Sequence, residues 1–389
     1  MLFADLADFA ASNFCKLRMV FKKIFACCLL FQRKSVLLRR KPTLNLMIIM
    51  KNRILWLLLA IILSGVLTSW LTSCSDNDDN KDGDKKSVVI LLPDASSIAR
   101  WAVDRANLES VMKSYGFQTH VHVAPETAKG AEQQVQQLKD AIANGAKYIV
   151  LTAIDYKRIN KSGVLQEHPD VQVVCHDRFV LDNPNIACFS STDTREIGRM
   201  QAMFLLNHFH SKGDSHMTVE FLEGPDTDVN AKDYFEGAME LLKQYIDNGD
   251  LEVKSGKKTY SQVKSDSWNV SDGKKAMQDR LESYGAGECP DMILAANDNL
   301  AQGAIEALEE AGITDMPVIT GQDNTATAQA NIRSGKQTMT IDKNLKDMAY
   351  NTAMIINSLI SKSPVHASES VSGVPTFYSK TTLVTIDSY

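Results

Sequence analysis

From residue 87 to the C-terminus, short apolar runs alternate with longer amphipathic segments. The alternation is sharpest over 291–324, DMILAANDNLAQGAIEALEEAGITDMPVITGQDN. Residues 292–295 are apolar and too few for a helix, so they predict a buried strand. Leu300, Ala304, Ile305, Ala307 and Leu308 then recur at helical spacing. Glu306, Glu309 and Glu310 occupy the other side and Gly312 is a stop signal, so a helix is predicted over 299–311. Residues 318–320 predict the next strand. Strands joined through a helix run parallel, and both release their polar turns at the carboxyl edge of the sheet. Those turns are Asn297-Asp298 and Gly321-Gln322-Asp323-Asn324. Open α/β sheets bind ligands at that edge. Two carboxylates and three amides are therefore expected to converge there on a polar partner.

The rest of the chain repeats this order. Strands are predicted over 87–92, 118–124, 147–151, 171–175 and 186–190, with helices over 98–114, 127–144 and near 156–165. The order restarts with a helix over 195–210, a strand over 216–222, a helix over 232–245, a strand over 251–254 and a helix over 272–281. After the stretch above come a strand over 337–341, a helix over 345–361 and a last strand over 383–386. The fold class is α/β, with two similar halves, each a doubly wound parallel sheet. The first half stops near Ser190-Ser191.

Polar residues collect after the strands: Asp94, Asp177, Arg178, the 224–230 turn, Asn297, Asp298, Gln322, Asp323, Asp342 and Lys343. Arg100-Trp101 opens a helix and Trp268 lies just before another. Helix capping accounts for Asp94 or Asp298 taken singly. It does not call for Arg178, Lys343 and two indoles at one rim. A neutral polyol fits the set: carboxylates accept from hydroxyls, guanidinium donates in parallel, amides do both, and indoles cover apolar ring faces.

Composition narrows the field. A net charge of -5 argues against nucleic acid as a partner. The seven cysteines show no C-x-x-C pair and no zinc spacing, and Cys175 and Cys188 are expected as buried thiols. His120 and His122 share a strand face, but no carboxylate or cysteine stands near them, so a polar outer face is expected and no metal site. No nucleophile elbow, phosphate loop or metalloprotease motif is present in the sequence, so no catalytic residue and no cofactor are expected.

The N-terminal part reads differently. Lys51-Asn52-Arg53, an apolar run over 54–67 and Leu71-Thr72-Ser73-Cys74 make a secretory signal. LTSC resembles the bacterial lipoprotein box, which implies cleavage before Cys74, a lipid on its sulfur, and attachment to a membrane surface without crossing it. Residues 1–49 are basic and precede this signal, so translation is expected to start at Met50 or Met47. Residues 75–86, SDNDDNKDGDKK, carry no apolar side chain and predict an acidic tether.

The rim residues complete a resemblance. Ile98-Ala99-Arg100-Trp101, Cys175-His176-Asp177-Arg178, Asp228-Val229-Asn230-Ala231-Lys232, Trp268, Asn297-Asp298, Gly321-Gln322-Asp323, Gln337-Thr338-Met339-Thr340 and Lys343 are similar to motifs of the periplasmic sugar-binding proteins of ABC transporters. The likeness covers about 87–387, lies in the ribose/galactose-type cluster, and is greatest to its D-xylose-binding branch. It implies a type I periplasmic binding protein. One lobe would hold 87–191 plus 343–378, the other 192–342 plus 379–389, joined by three crossings and closing by a hinge on a ligand. It implies that Arg100, Asp177, Arg178, Asn230, Asn297, Asp323 and Lys343 bond sugar hydroxyls while Trp101 and Trp268 sandwich the ring. His176 and Asp342 stand where the xylose-binding branch has tyrosine, so pentose and hexose both stay open. A monomer in the periplasm or on the outer membrane is implied, with either an ABC permease or a membrane histidine kinase as partner. A repressor of the same fold would begin with a basic helix-turn-helix, where this chain has the acidic tether.

Overall fold

The computed structural model describes residues 87–389 apart from 97, 214–215 and 368. The upstream segment 1–49, the signal over 50–73, Cys74 and the tether lie outside the described residues. The first lobe begins with β1 (Ser87–Pro93), α1 (Arg100–Ser114), β2 (Gln118–Ala124), α2 (Ala128–Ala143), β3 (Tyr148–Leu151), α3 (Tyr156–Lys161), β4 (Gln172–His176) and β5 (Ile186–Ser191). β1 is apolar without a break because it is covered on both faces. Val89 and Leu91 pack with Leu138 and Ile149 on one side, Ile90 and Leu92 with Leu108 and Met112 on the other. β2 alternates exposed and half-buried residues because it is the edge strand.

The second lobe follows with α4 (Thr194–Lys212), β6 (Met217–Leu222), α5 (Val229–Asn248), β7 (Leu251–Glu252), α6 (Tyr260–Val263), α7 (Val270–Leu281), β8 (Met292–Ala295), α8 (Asp298–Glu310), β9 (Val318–Ile319), α9 (Ala326–Arg333) and β10 (Met339–Asp342). The chain then returns to the first lobe as α10 (Leu345–Ile360), β11 (Glu369–Val371) and β12 (Val374–Tyr378), and ends in β13 (Thr382–Thr385). The first sheet has the order β11-β12-β5-β4-β3-β1-β2, parallel except for β11; the second is β7-β6-β8-β9, all parallel. β10 and β13 form an antiparallel pair.

The chain thus passes between the lobes after β5, after β10 and after β12. The three passages touch. Ser379 donates its backbone N–H to Ser191 O at 2.8 Å and its hydroxyl to Lys343 O at 3.1 Å.

Four elements were not expected from the sequence: the strands β11 and β12 of a hairpin, α6 and α9. Pro375 argues against a strand. The strand forms because its pairing with β5 begins only at Thr376, opposite Phe189. Cys175 and Cys188 are buried free thiols on opposite faces of the first sheet.

β6 leads into the loop that ends at Asp228, just before Asn230 in the first turn of α5, and two buried glutamates flank that exit. Glu220 accepts from Ser255 N at 3.0 Å, Ser255 Oγ at 2.6 Å and Tyr284 Oη at 3.2 Å. Glu223 is fully buried, and neither carboxyl oxygen has a hydrogen-bond partner among the described residues. Burial pushes its pKa well above the ordinary 4.5. The fold therefore keeps a proton that the unfolded chain releases. Stability attributable to this group is highest below the unfolded value and falls as pH rises above it, until the folded group itself ionises. Glu223→Met is expected to stabilise the protein by about 1–3 kcal/mol near pH 7.5 and by less near pH 4.5, read from urea denaturation midpoints at the two pH values.

Candidate functional site

The carboxyl ends of the strands in both lobes face a single pocket. Its lining includes all nine residues singled out from the sequence: Arg100, Trp101, Asp177, Arg178, Asn230, Trp268, Asn297, Asp323 and Lys343. Ile98, Asp228, Tyr234 and Gln322 complete the wall. The enclosed volume is about 20 Å³, room for a water or two, so the opposing side chains are nearly in contact.

Each side chain is placed by local structure. Arg100 and Trp101 open α1, and Asp177-Arg178 follows β4. Asp177 and Asp323 adopt left-handed backbone angles, with φ of 65° and 97°. Such angles in non-glycine residues persist where surrounding bonds hold them. Here Asp177 N donates to Ser190 O and Asp323 N to Ile341 O, both at 2.8 Å. Asn297 caps α8 through its side-chain oxygen, which accepts from Leu300 N at 2.9 Å. Capping and ligand recognition are compatible in this residue, because the amide NH₂ is a separate donor.

Arg100 is the centre of charge. Its guanidinium pairs with Asp177 at 2.6 Å, Asp323 at 3.2 Å and Asp104 at 3.3 Å. Lys343 Nζ lies 3.3 Å from Asp323, 3.8 Å from Asp177 and 3.1 Å from Tyr234 Oη. Burial alone would raise the Asp177 pKa, but Arg100, Lys343 and Arg178 outweigh it and hold the carboxyl well below the usual range. Burial alone would lower Arg100 and Lys343, and the facing carboxylates reverse the sign for both.

Arg178 forms a second centre, bonded to Glu126 at 2.5 Å and Asp228 at 2.8 Å. Two of its nitrogens are thus held by protein carboxylates, where the family resemblance had them bonding ligand. Both guanidiniums also lie over Trp101, with Arg100 Cζ 4.1 Å and Arg178 Cζ 5.0 Å from the ring centroid. Cations therefore occupy stacking space on Trp101 that the resemblance assigned to a sugar ring. Trp268 meets Tyr234 edge-on, with centroids 6.2 Å apart.

Several contacts join the two lobes across the pocket. Arg100 reaches Asp323, Arg178 reaches Asp228, and Asn230 Nδ2 donates to Asp177 O at 3.0 Å. Nearer the mouth, Tyr156 N donates to Thr227 O at 3.4 Å and Lys157 faces Asp226 at 3.3 Å. The lobes are closed on each other.

The expected convergence is corrected in part: Asn324 and Asp342 lie off the pocket wall, with Asn324 Nδ2 donating to Asp342 at 3.4 Å. Asp298 does not line the pocket. It is buried within the second lobe, where it accepts from Thr340 Oγ1 at 2.7 Å, Thr325 N at 2.8 Å and Gln337 Nε2 at 3.0 Å. Burial, helped by the Asp323 charge, pushes its pKa up to about 7. Asp94 instead bonds Ser96 in its own turn.

Three residues near the charges were missed: Glu126, Asp104 and Tyr234. Glu126 follows β2 as the others follow their strands, so the same rule would have found it. Asp104 is four residues from Arg100 on α1, a spacing that pairs side chains on one helix face. Tyr234 reads as core, while Asp228 falls in the 224–230 turn expected at the rim and also caps α5 by accepting from Asn230 N at 3.0 Å. Behind Asp104 lies His176, with Nε2 3.1 Å from Asp104 Oδ1 and Nδ1 2.8 Å from Thr352 Oγ1. Among the described residues no cluster of three metal-ligating side chains exists.

Residues 88–364 match the family model described as periplasmic binding protein domain. The chain is 29% identical over 284 residues to the multiple sugar-binding periplasmic receptor ChvE of Rhizobium radiobacter, covering 71% of this chain and 78% of that protein. It is also 29% identical over 261 residues to the D-xylose-binding periplasmic protein of Escherichia coli K12, covering 66% and 73%. Among solved structures, an ABC transporter solute binding protein from Clostridium phytofermentans with bound β-D-glucose superposes with a TM-score of 0.73 at 25% identity, covering 78% of this chain and 95% of that one.

The Trp268 wall depends on Gly224. A Cβ there would meet the indole at 2.3 Å, and a rigid ring cannot yield as a flexible chain end does. Gly224→Ala is expected to destabilise the protein by about 1–3 kcal/mol and to alter tryptophan emission, checked by fluorescence-monitored denaturation.

Proposed function

The chain belongs to the periplasmic binding protein family, and from that premise we propose that it binds a monosaccharide, an aldose such as D-xylose or D-glucose, between its two lobes. The observation that carries this is the shared pocket: residues from Arg100 to Lys343, spread over both lobes, meet with two indoles and alternating charges. The relatives described as binding several sugars, D-xylose and β-D-glucose support the same ligand class.

The chemistry is that of insertion. Asp177 and Asp323 share Arg100 and Lys343. A hydroxyl placed between such partners donates to the carboxylate and accepts from the cation, so it replaces one charge-assisted bond with two. Each bond of this kind contributes about 1.5–3 kcal/mol, so a few of them support binding near about 1 μM. The closed pocket is smaller than a sugar, so entry requires the lobes to part. Re-closure around the ring then restores the contacts from Arg178 to Asp228 and from Asn230 to Asp177.

Within this reading the protein delivers its sugar to an ABC importer, held at the membrane by a lipid on Cys74. A second reading, in which occupancy is presented to a membrane histidine kinase, draws on the naming of one relative as a receptor. Neighbouring genes encoding a permease and ATPase, or instead a kinase, discriminate the two.

Titrating the purified protein with a panel of aldopentoses and aldohexoses, by calorimetry and tryptophan fluorescence, tests the ligand class. At least one sugar should bind with a change in emission, since both pocket tryptophans border the ligand. Silence across the panel would falsify the reading. Asp323→Ala should weaken the best ligand by at least about 2 kcal/mol, roughly thirtyfold, because Arg100 and Lys343 lose a shared acceptor.

A further inference from the structure

Glu126 and Asp228 do the same thing on opposite sides of the pocket. Trp101 Nε1 donates to Glu126 Oε2 at 3.1 Å, and Trp268 Nε1 donates to Asp228 Oδ2 at 3.2 Å. Arg178 joins the two carboxylates, through a terminal nitrogen to Glu126 at 2.5 Å and through Nε to Asp228 at 2.8 Å. The result is one unbroken polar chain, Trp101–Glu126–Arg178–Asp228–Trp268. All five side chains are buried, the most exposed being Glu126 at 7%.

An indole has one polar atom, its N–H. Fixing that atom removes the ring's freedom to turn about its side-chain torsions, which otherwise leaves a flat wall free to tilt. Trp101, Glu126 and Arg178 stand on the first lobe, Asp228 and Trp268 on the second. The Arg178–Asp228 bond is therefore the link that spans the cleft.

We infer that Glu126, Arg178 and Asp228 are positioning residues that set the spacing and tilt of the two indole walls, and that the cross-lobe bond sets them only when the protein is closed. The inference rests on the sugar reading of the pocket. It adds a selectivity: aligned walls favour a flat pyranose ring over an open-chain polyol with similar hydroxyls. Hydroxyls bond the charged groups in either case, but only a ring presents two apolar faces to two indoles.

The test compares D-xylose, D-glucose and xylitol in calorimetric titrations of wild type, Glu126→Gln and Asp228→Asn. It is paired with the indole N–H signals in a nitrogen–proton correlation spectrum, assigned with Trp101→Phe and Trp268→Phe. Both carboxylate variants should lose about tenfold or more in affinity for the better aldopyranose, and their preference for it over xylitol should shrink by a similar factor. Arg178→Lys, which keeps the charge but not the fork, should lose as much. Glu126→Gln should move the Trp101 signal even without sugar, since both residues lie on one lobe. Asp228→Asn should move the Trp268 signal. Wild-type signals and unchanged aldopyranose affinity in both variants would overturn the inference, as would equal losses for aldopyranose and xylitol. If wild type binds none of the three, the sugar reading fails, while the Trp101 signal in Glu126→Gln still decides whether that carboxylate pins the ring.

Discussion

A guanidinium taken out of water must be paired, and Arg100 is buried to 4% exposure at the start of α1. The cost of burying such a charge unpaired is several kcal/mol after relaxation. Three carboxylates from three parts of the chain meet it: Asp104 on its own helix, Asp177 after β4 and Asp323 after β9. Asp104 and Asp177 already pair it within the first lobe, and Asp323 from the second lobe carries the ion-pair network across the cleft. The left-handed turns at Asp177 and Asp323 each present a carboxylate to that one cation.

The same logic explains how a closed pocket accepts a guest. Opposite charges already hold one another, so an incoming neutral ligand inserts into existing pairs and has no bare charge to neutralise. Asp177 stays ionised throughout, since the cations around it hold its pKa well below the usual range even in full burial. Stacking is subject to a similar exchange: the guanidiniums over Trp101 must give way on one face before an apolar ring can lie there.

The parts of this site that were legible in the sequence share a cause. Asp177, Arg178, Asn297, Asp323 and Lys343 follow strands, and the carboxyl ends of parallel strands point one way. Asp298 follows a strand too, but it is one residue further on and already inside α8, where the helical turn aims it at Thr340 and Gln337. Glu126 was hidden by its neighbours, since Pro125-Glu126-Thr127 reads as the start of α2. Asp104 was hidden because charged residues on a helix usually mark its wet face, whereas this one faces His176. The β11–β12 hairpin escaped because Pro375 is a strand breaker unless its missing donor is not needed, which depends on a partner more than 180 residues away.

Ser379 gives the three passages between the lobes a common anchor by bonding both Ser191 O and Lys343 O. Three separate strings would let the halves slide, splay and turn. Strings fastened at one point leave rotation as the soft degree of freedom. Lys343 is both a member of that knot and a neighbour of Asp177 and Asp323. The crossing point and the charged pocket thus share a residue, so a displacement of that ammonium is felt at the axle with no intervening lever.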